Sequence, residues 1–439
     1  MKKHPVFKFY SERILTALAI RFFMASLLVK NALVVTQDPK RSIIRGCDVL
    51  VQNNVIAKVG RNLRESAEKK IDGKGKILIP GLINAHTHLA MTLLRGYGEG
   101  LGLNEWLKEK IWPAEKKLKP SDIHAGSMLG CAELIRTGTT SFLDMYYREE
   151  ETAKAVLQSG LRATLSYTVA DFLGEARKQV LRMKKSLRHK YRGGRVTMSV
   201  APHSIYSCSR ELLEQTAIAA KEHNIITHIH LSESKGEVSD CLHRAGLKPA
   251  FYLNSVGLMN QMLVAAHCVW LDQTEIDLFK QKGGAIALNP VSNLKLANGV
   301  APARRMIENG LTLALGTDGA SSNNSLSMLE TMKFAALVYG LSAQEALDMA
   351  TLGGAKALHL NAGSIEQGKL ADFALFDATA LGTAPAINPL ASVVFASSHR
   401  AVSDLVVDGK IVMRDRKILT LNKDKAIENA VKASERLTR

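Results

Sequence analysis

Two histidines one residue apart, His86 and His88, end the apolar stretch "IPGLINAHTHLAMTLLRG" at residues 79–96. Side chains alternate along a strand, so both imidazoles point to one side. Two converging imidazoles suit a divalent ion such as zinc, iron or nickel. Read alone, H-x-H is explained equally well by a pair of hydrogen-bonded core histidines. Other segments offer the donors that separate the two explanations. "THIHLSE" carries His228, His230 and Glu233, "MLVAAHCV" carries His267, and "LALGTDG" carries Asp318. Together His86, His88, His230 and Asp318 would hold one metal and leave a position for water, whose pKa falls on binding from about 15.7 toward 7. Asp318 can ligate and also accept the water's proton. Glu233 is placed to carry that proton to the leaving side of a substrate, and His267 to hydrogen-bond the water or steady developing charge. His228 shares a face with His230 but is not assigned as a ligand, because it can lie deeper and only pack.

These donors must be brought together by regular elements. Between residues 80 and 320 the chain repeats one theme, a short strand-like run ending in polar residues and then a helical pattern. The runs are "LINAHTH", "TTSFLDM", "RATLSYTVAD", "RVTMSVAPHS", "IITHIHLSE", "MLVAAHCV", "GAIALNPVSN" and "LTLALGTDG". Alternation of strand and helix implies parallel, right-handed connections, and eight strands close a barrel. The expected fold is α/β, a (β/α)8 TIM barrel over residues 80–365 with its site at the C-terminal strand ends. Residues 24–79 and 366–439 alternate like strands with turns and are expected to form one small β-sandwich domain from both termini. Each flank alone has few strands with which to bury a face.

Residues 1–23 resemble a signal peptide only superficially: "ILTALAI" is short and Arg21 follows it. They are expected to be an extension, with Met24 as the alternative start. No run of 18 apolar residues occurs, so no membrane span is expected. Five scattered cysteines without a C-x-x-C pair argue for free thiols in a reducing cytoplasm. The net charge of +17 concentrates in the N-terminal segment and in "RMKKSLRHKYRGGR" from Arg182 to Arg195. Without interleaved aromatic residues this reads as a solvated basic face rather than a nucleic-acid surface. The glycines of "RGYGEGLG" lack dinucleotide-binding spacing, and position 116 is Lys, so a loop over the metal is the better reading. Trp106 and Trp112 follow it as packing residues. No P-C-x-x-C occurs, which excludes the cytidine-deaminase type of zinc site.

The segments "PGLINAHTHLAMTLLRG", "APHSIYSCS", "HIHLSES", "AAHCVWL", "NPVSNLKLANGVAP" and "LGTDGASSNNSLSM" together resemble the amidohydrolase superfamily, specifically its 5'-methylthioadenosine/S-adenosylhomocysteine deaminase group. The resemblance runs from Met24 to about Lys417. It implies hydrolytic deamination of an adenine nucleoside to the inosine analogue, with His86, His88, His230 and Asp318 as ligands, Glu233 as proton shuttle and His267 beside the water. It further implies that Glu115 in "IWPAE" meets ribose hydroxyls and that His203 in "APHS" contacts the purine nucleoside. No lysine ends the fourth run, where binuclear members carry one, so a single divalent metal is expected, zinc first and iron or nickel as alternatives. Members often place an arginine where this chain has Tyr167. A second family arginine is matched to Arg177, a candidate reader of the substrate's 5' end.

Guanine deamination and triazine hydrolysis use the same metal centre, but neither substrate has a ribose for Glu115 and His203 to hold. A non-catalytic barrel and a basic nucleic-acid-binding protein are the remote alternatives. Barrel edges often leave apolar surface for a second copy of the chain, so a homo-oligomer stays open.

Overall fold

The computed structural model describes residues 26–189, 191 and 193–439; the expected extension, residues 1–23, lies outside the described residues. Eight parallel strands form the centre: β1 (Leu82–His88), β2 (Thr139–Tyr146), β3 (Arg162–Val169), β4 (Val196–Pro202), β5 (Thr227–Leu231), β6 (Leu263–His267), β7 (Ala285–Leu288) and β8 (Thr312–Leu315). Each pairs with its neighbour in chain order. Closure comes from the end of the eighth run. Thr312–Leu315 pairs with β7, and the short continuation Asp318–Gly319 pairs with Thr87 and His88 of β1. Below that seam Asn84 Nδ2 donates to Thr317 Oγ1 at 2.7 Å, and Thr317 N donates to Asn84 Oδ1 at 3.0 Å. The barrel is therefore an α/β closed sheet. Its strands are buried along almost their whole length, as parallel strands covered by helices must be.

The seventh run ends sooner than its sequence pattern reads. Its strand stops at Leu288, and Pro290–Lys295 is a helical turn. Pro290 sits at the start of that turn, where a missing N–H costs no hydrogen bond.

The two flanks share a second sheet of nine strands. Ser26–Val35, Ile43–Gln52, Val55–Gly60, Lys69–Asp72 and Lys76–Pro80 come from the first flank; Phe373–Asp377, Val402–Val407, Lys410–Arg414 and Lys417–Ile418 come from the second. The seam between them is antiparallel, with Lys76–Pro80 facing Asp377–Phe373. A core of its own, including Leu27, Val29, Val34, Val49, Ile56, Phe373 and Leu375, holds this sheet. The last helix, Lys423–Thr438, leaves it and packs on the barrel helix Pro120–Arg136, where Ala430, Ala433 and Leu437 join Leu93, Leu94 and Ile123. No helix among the described residues is long and apolar enough to cross a membrane.

Candidate metal centre

The ends of β1, β5, β6 and β8 meet over the barrel axis. His88 Nε2 lies 3.1 Å from Asp318 Oδ1 and 3.3 Å from His230 Nε2, and His86 Nε2 lies 3.3 Å from Asp318 Oδ1. A tetrahedral ion with ligand bonds of about 2.0–2.1 Å spaces its donors about 3.3 Å apart. His267 joins the same cluster: it, His86, His230 and Asp318 each offer an atom within 4.8 Å of the others.

Each imidazole is turned by a partner behind it. His88 Nδ1 donates to the Met145 carbonyl at 2.5 Å, and His230 Nδ1 donates to the His203 carbonyl at 2.7 Å. A carbonyl only accepts, so in each ring Nδ1 carries a proton and Nε2 is the atom turned to the centre. His86 Nδ1 lies 2.9 Å from His228 Nε2, which places His228 beneath the ring of donors as a support. His86 Nε2 is buried without a hydrogen-bond partner. Burial holds the His86 ring down to about 3 and puts His230 well below the ordinary range, so both are neutral donors. Asp318 is buried too, yet its contacts with His86 and His88 hold its carboxyl well below the usual value. Its Oδ2 accepts from Ser292 Oγ at 2.6 Å and Ser322 Oγ at 2.7 Å, which leaves Oδ1 toward the histidines. Burial works against it, but the Asp318 carboxylate beside His88 holds that ring up to about 9. Three imidazoles and one carboxylate, with a buried unpartnered nitrogen among them, fit a single divalent cation.

The backbone is held in an uncommon conformation at three of these strand ends. Ser232 (φ 49), His267 (φ 72), Cys268 (φ 50) and Asp318 (φ 60) all lie in the left-handed region. Non-glycine residues persist there only where surrounding structure over-determines them, and such positions cluster at functional sites. The eighth strand passes close to β1, and a Cβ at Gly316 would lie 2.8 Å from His86 Cβ. Glycine is required there for the strand ends to converge.

Above the donors is a cavity lined by Trp106, Trp112, Glu115, Tyr146, His203 and Glu233, among others. Glu233 is buried, which raises its carboxyl, and its Oε1 lies 3.8 Å from His267 Nδ1. Glu115 accepts from Tyr146 Oη at 2.8 Å and Tyr147 Oη at 3.1 Å; burial pushes it up to about 7. His203 lines the same wall, its Nδ1 2.9 Å from Ser207 Oγ. The structure thus brings together His86, His88, His230, His267, Asp318, Glu233, Glu115 and His203. It does not bring Arg177 there. Arg177 is exposed on the first turn of the helix Ala176–Leu187 and lines neither this cavity nor the outer cleft beside it. The loop before that helix has no periodicity to fix an alignment, so nothing in the sequence ties Arg177 to the cavity. Tyr167, Arg148 and Arg182 line the outer cleft instead.

Several supports were not read from the sequence. Asp144 accepts from Leu89 N at 2.7 Å and anchors the turn after His88. Asn293 Oδ1 accepts from His267 Nδ1 at 2.8 Å. The available signal was position: Asp144 nearly ends a strand run, and Asn293 follows the seventh run among polar residues.

The chain matches the model of the Amidohydrolase family over residues 77–412. It is 42% identical over 425 residues to a protein named 5'-deoxyadenosine deaminase from Methanosphaera stadtmanae, covering 94% of this chain and 99% of that one. The crystal structure of an adenosine deaminase from Xanthomonas campestris with bound zinc superposes with a TM-score of 0.90 at 31% identity, covering 94% of this chain and 98% of that one. A triazine hydrolase from Arthrobacter aurescens superposes with a TM-score of 0.87 at 25% identity, covering 93% and 99%.

Proposed function

The chain belongs to the amidohydrolase family, and from that premise we propose that it is a metal-dependent hydrolase that deaminates an adenine nucleoside, releasing ammonia and the inosine analogue. The observation that carries the reading is the donor set itself: three histidines and an aspartate linked by donor contacts of 3.1 to 3.3 Å, next to a buried carboxylate. His86, His88, His230 and Asp318 would hold the ion, zinc in the first instance, as in the Xanthomonas relative. When bound, the ion supplies Lewis-acid polarisation of a water, making its proton available at neutral pH.

The remaining chemistry belongs to the chain. Glu233 takes a proton from the attacking water as its oxygen bonds to C6, and hands that proton to N1 of the purine. A second proton from the same oxygen reaches the C6 amino group through Glu233, and ammonia leaves. His267, with Nδ1 held by Asn293, turns Nε2 to the reacting oxygen. Glu115 is pre-aimed by Tyr146 and Tyr147 and takes the ribose hydroxyls, while His203 flanks the nucleoside. Trp106 and Trp112 wall the cavity and exclude bulk water. The five free, buried cysteines fit a reducing compartment, and we place the enzyme in the cytoplasm.

The test is ammonia release by the zinc-loaded protein from adenosine, 5'-deoxyadenosine, 5'-methylthioadenosine and S-adenosylhomocysteine, with guanine and an aminated triazine alongside. Turnover of the nucleosides alone supports the reading. Turnover confined to guanine or the triazine would overturn it. Tyr167 lines the outer cleft together with Arg148 and Arg182, so turnover of S-adenosylhomocysteine comparable to the other three would point to those arginines as readers of its carboxylate.

A further inference from the structure

The segment after β7, "NPVSNLKLANG" at residues 289–299, contributes none of the metal donors proposed above, yet it reaches one of them and two of the groups beside them. Ser292 bonds Asp318 and Asn293 bonds His267, as described. Asn298 Nδ2 donates to Glu233 Oε1 at 2.8 Å. We propose that Asn298 is a positioning residue for the proton shuttle, fixing Oε1 as an acceptor so that Glu233 carries its proton on Oε2. The proposal rests on the deaminase reading.

Glu233 is held twice. Its backbone is tied down because Ser232 N and Glu233 N donate to the two oxygens of Glu237, each at 2.9 Å. That fixes where the side chain starts but not how its carboxylate turns. Asn298 supplies the second constraint. An amide nitrogen has donors and no acceptor, so a proton placed on Oε1 would face an N–H, whereas Oε2 is left free to take and give one.

Asn298 is itself well anchored. It is 7% exposed. Its carbonyl accepts from Trp270 Nε1 at 2.7 Å, and its N–H donates to the Asn293 carbonyl at 2.8 Å. The next residue, Gly299, has φ +116, and a Cβ there would lie 2.9 Å from Trp270 Cζ2. The chain can pass beneath Trp270 only with glycine at that position, and this delivers the Asn298 amide to Glu233.

The proton path follows. Oε2 takes one proton from the attacking water and places it on N1, where it stays in the inosine product. It then takes the second proton of that oxygen and delivers it to the C6 amino group. The C6–N bond breaks with its electron pair going to nitrogen, the oxygen becomes the C6 carbonyl, and ammonia departs with three hydrogens.

The experiment compares wild type, Asn298→Asp and Asn298→Ala on 5'-deoxyadenosine and on its 6-chloro analogue. Chloride leaves with its bonding pair and needs no proton, so this substrate asks less of the shuttle. Asn298→Asp keeps the shape and loses the donor; Asn298→Ala avoids burying a second carboxylate and keeps both backbone anchors. Expected for both variants is a kcat on the amino substrate lower by about 10- to 100-fold, the range seen when a partner behind a catalytic group is removed. KM should stay within about threefold, zinc content unchanged, and the loss on the 6-chloro substrate should be clearly smaller. Equal losses on both substrates, a change in KM alone, or an undiminished kcat would overturn the proposal. A wild type that releases neither ammonia nor chloride would overturn the deaminase reading beneath it.

Discussion

Two buried clusters of charged and polar side chains sit at opposite ends of the barrel strands, and they are built on opposite principles. At the N-terminal end, Arg162 opens β3. Its Nε donates to Asp372 Oδ2 at 2.9 Å, and its Nη2 donates to Asp408 Oδ1 at 3.0 Å. Asp372 Oδ1 also accepts from Asp408 N at 2.6 Å. Burial would lower the arginine's pKa, and the two carboxylates more than reverse it. Arg162 belongs to the barrel, and the aspartates sit just before Phe373–Asp377 and just after Val402–Val407 of the terminal sheet, so this cluster is a closed joint between the two. At the C-terminal end, imidazoles crowd one carboxylate, His86 Nε2 has no hydrogen-bond partner, and the backbone at His267 and Asp318 is left-handed. A buried polar group left unpaired costs on the order of 1–3 kcal/mol, and each strained residue a comparable amount. The first cluster is satisfied by the chain itself. The second is completed only by something the chain binds.

Substitutions can sharpen that contrast. The largest effect is expected from Glu233→Gln: kcat should fall by about 1,000-fold or more, within the upper range for a general acid–base group, with metal content unchanged. Steady-state ammonia release beside metal analysis checks it, and normal turnover would remove Glu233 from its role. At the other end, Arg162→Met should leave two buried carboxylates uncompensated and cost about 3–5 kcal/mol of stability in denaturant unfolding. Its kcat per folded molecule should not change; a catalytic loss without a stability loss would erase the distinction between the clusters.

Glu115→Gln is expected to raise KM for 5'-deoxyadenosine by about 10- to 100-fold, the worth of a hydrogen bond to a charged acceptor, with a smaller change in kcat. A larger effect on kcat than on KM would move Glu115 from binding to chemistry. Smallest is the pH response of the surface residue Asp272, whose carboxyl lies at about 2. Burial opposes that shift, and the contact with Lys248 outweighs it. A depressed folded-state pKa stabilises above the unfolded value and is lost as pH falls through the folded one. Asp272→Asn, which keeps a capping side chain, should therefore cost under about 1 kcal/mol at pH 7, discounted for its exposure. The gap from wild type in urea unfolding should close between about pH 4 and pH 2.

How much of this could be read from the sequence depends on which layer is asked. The strands and their polar ends were legible because parallel strands bury continuous apolar runs, and His86, His88, His230, His267 and Asp318 interrupt them only at their ends. The layer behind was hidden. Asn293 and Asn298 lie after a run that supplies no metal donor, and their side chains reach His267 and Glu233 across the neighbouring strand ends of β6 and β5. His228 reads like a ligand by strand period and is found beneath His86, because depth along a strand has no sequence signal. The wall carrying Trp106 and Glu115 contains a π-helical stretch, Trp106–Ile111, whose wider turn no 3.6-residue pattern foretells. Arg177 shows the converse: an arginine matched across an irregular loop can sit on the solvent side of a helix.

The central claim is that His86, His88, His230 and Asp318 hold one divalent ion on which deamination depends. Its most direct test is to strip the protein with chelator, titrate zinc back, and follow bound metal and ammonia release from 5'-deoxyadenosine together. The account predicts no turnover at zero metal and a linear rise that saturates at one zinc per chain. Full turnover by the stripped protein, or saturation only at two zinc ions, would contradict it.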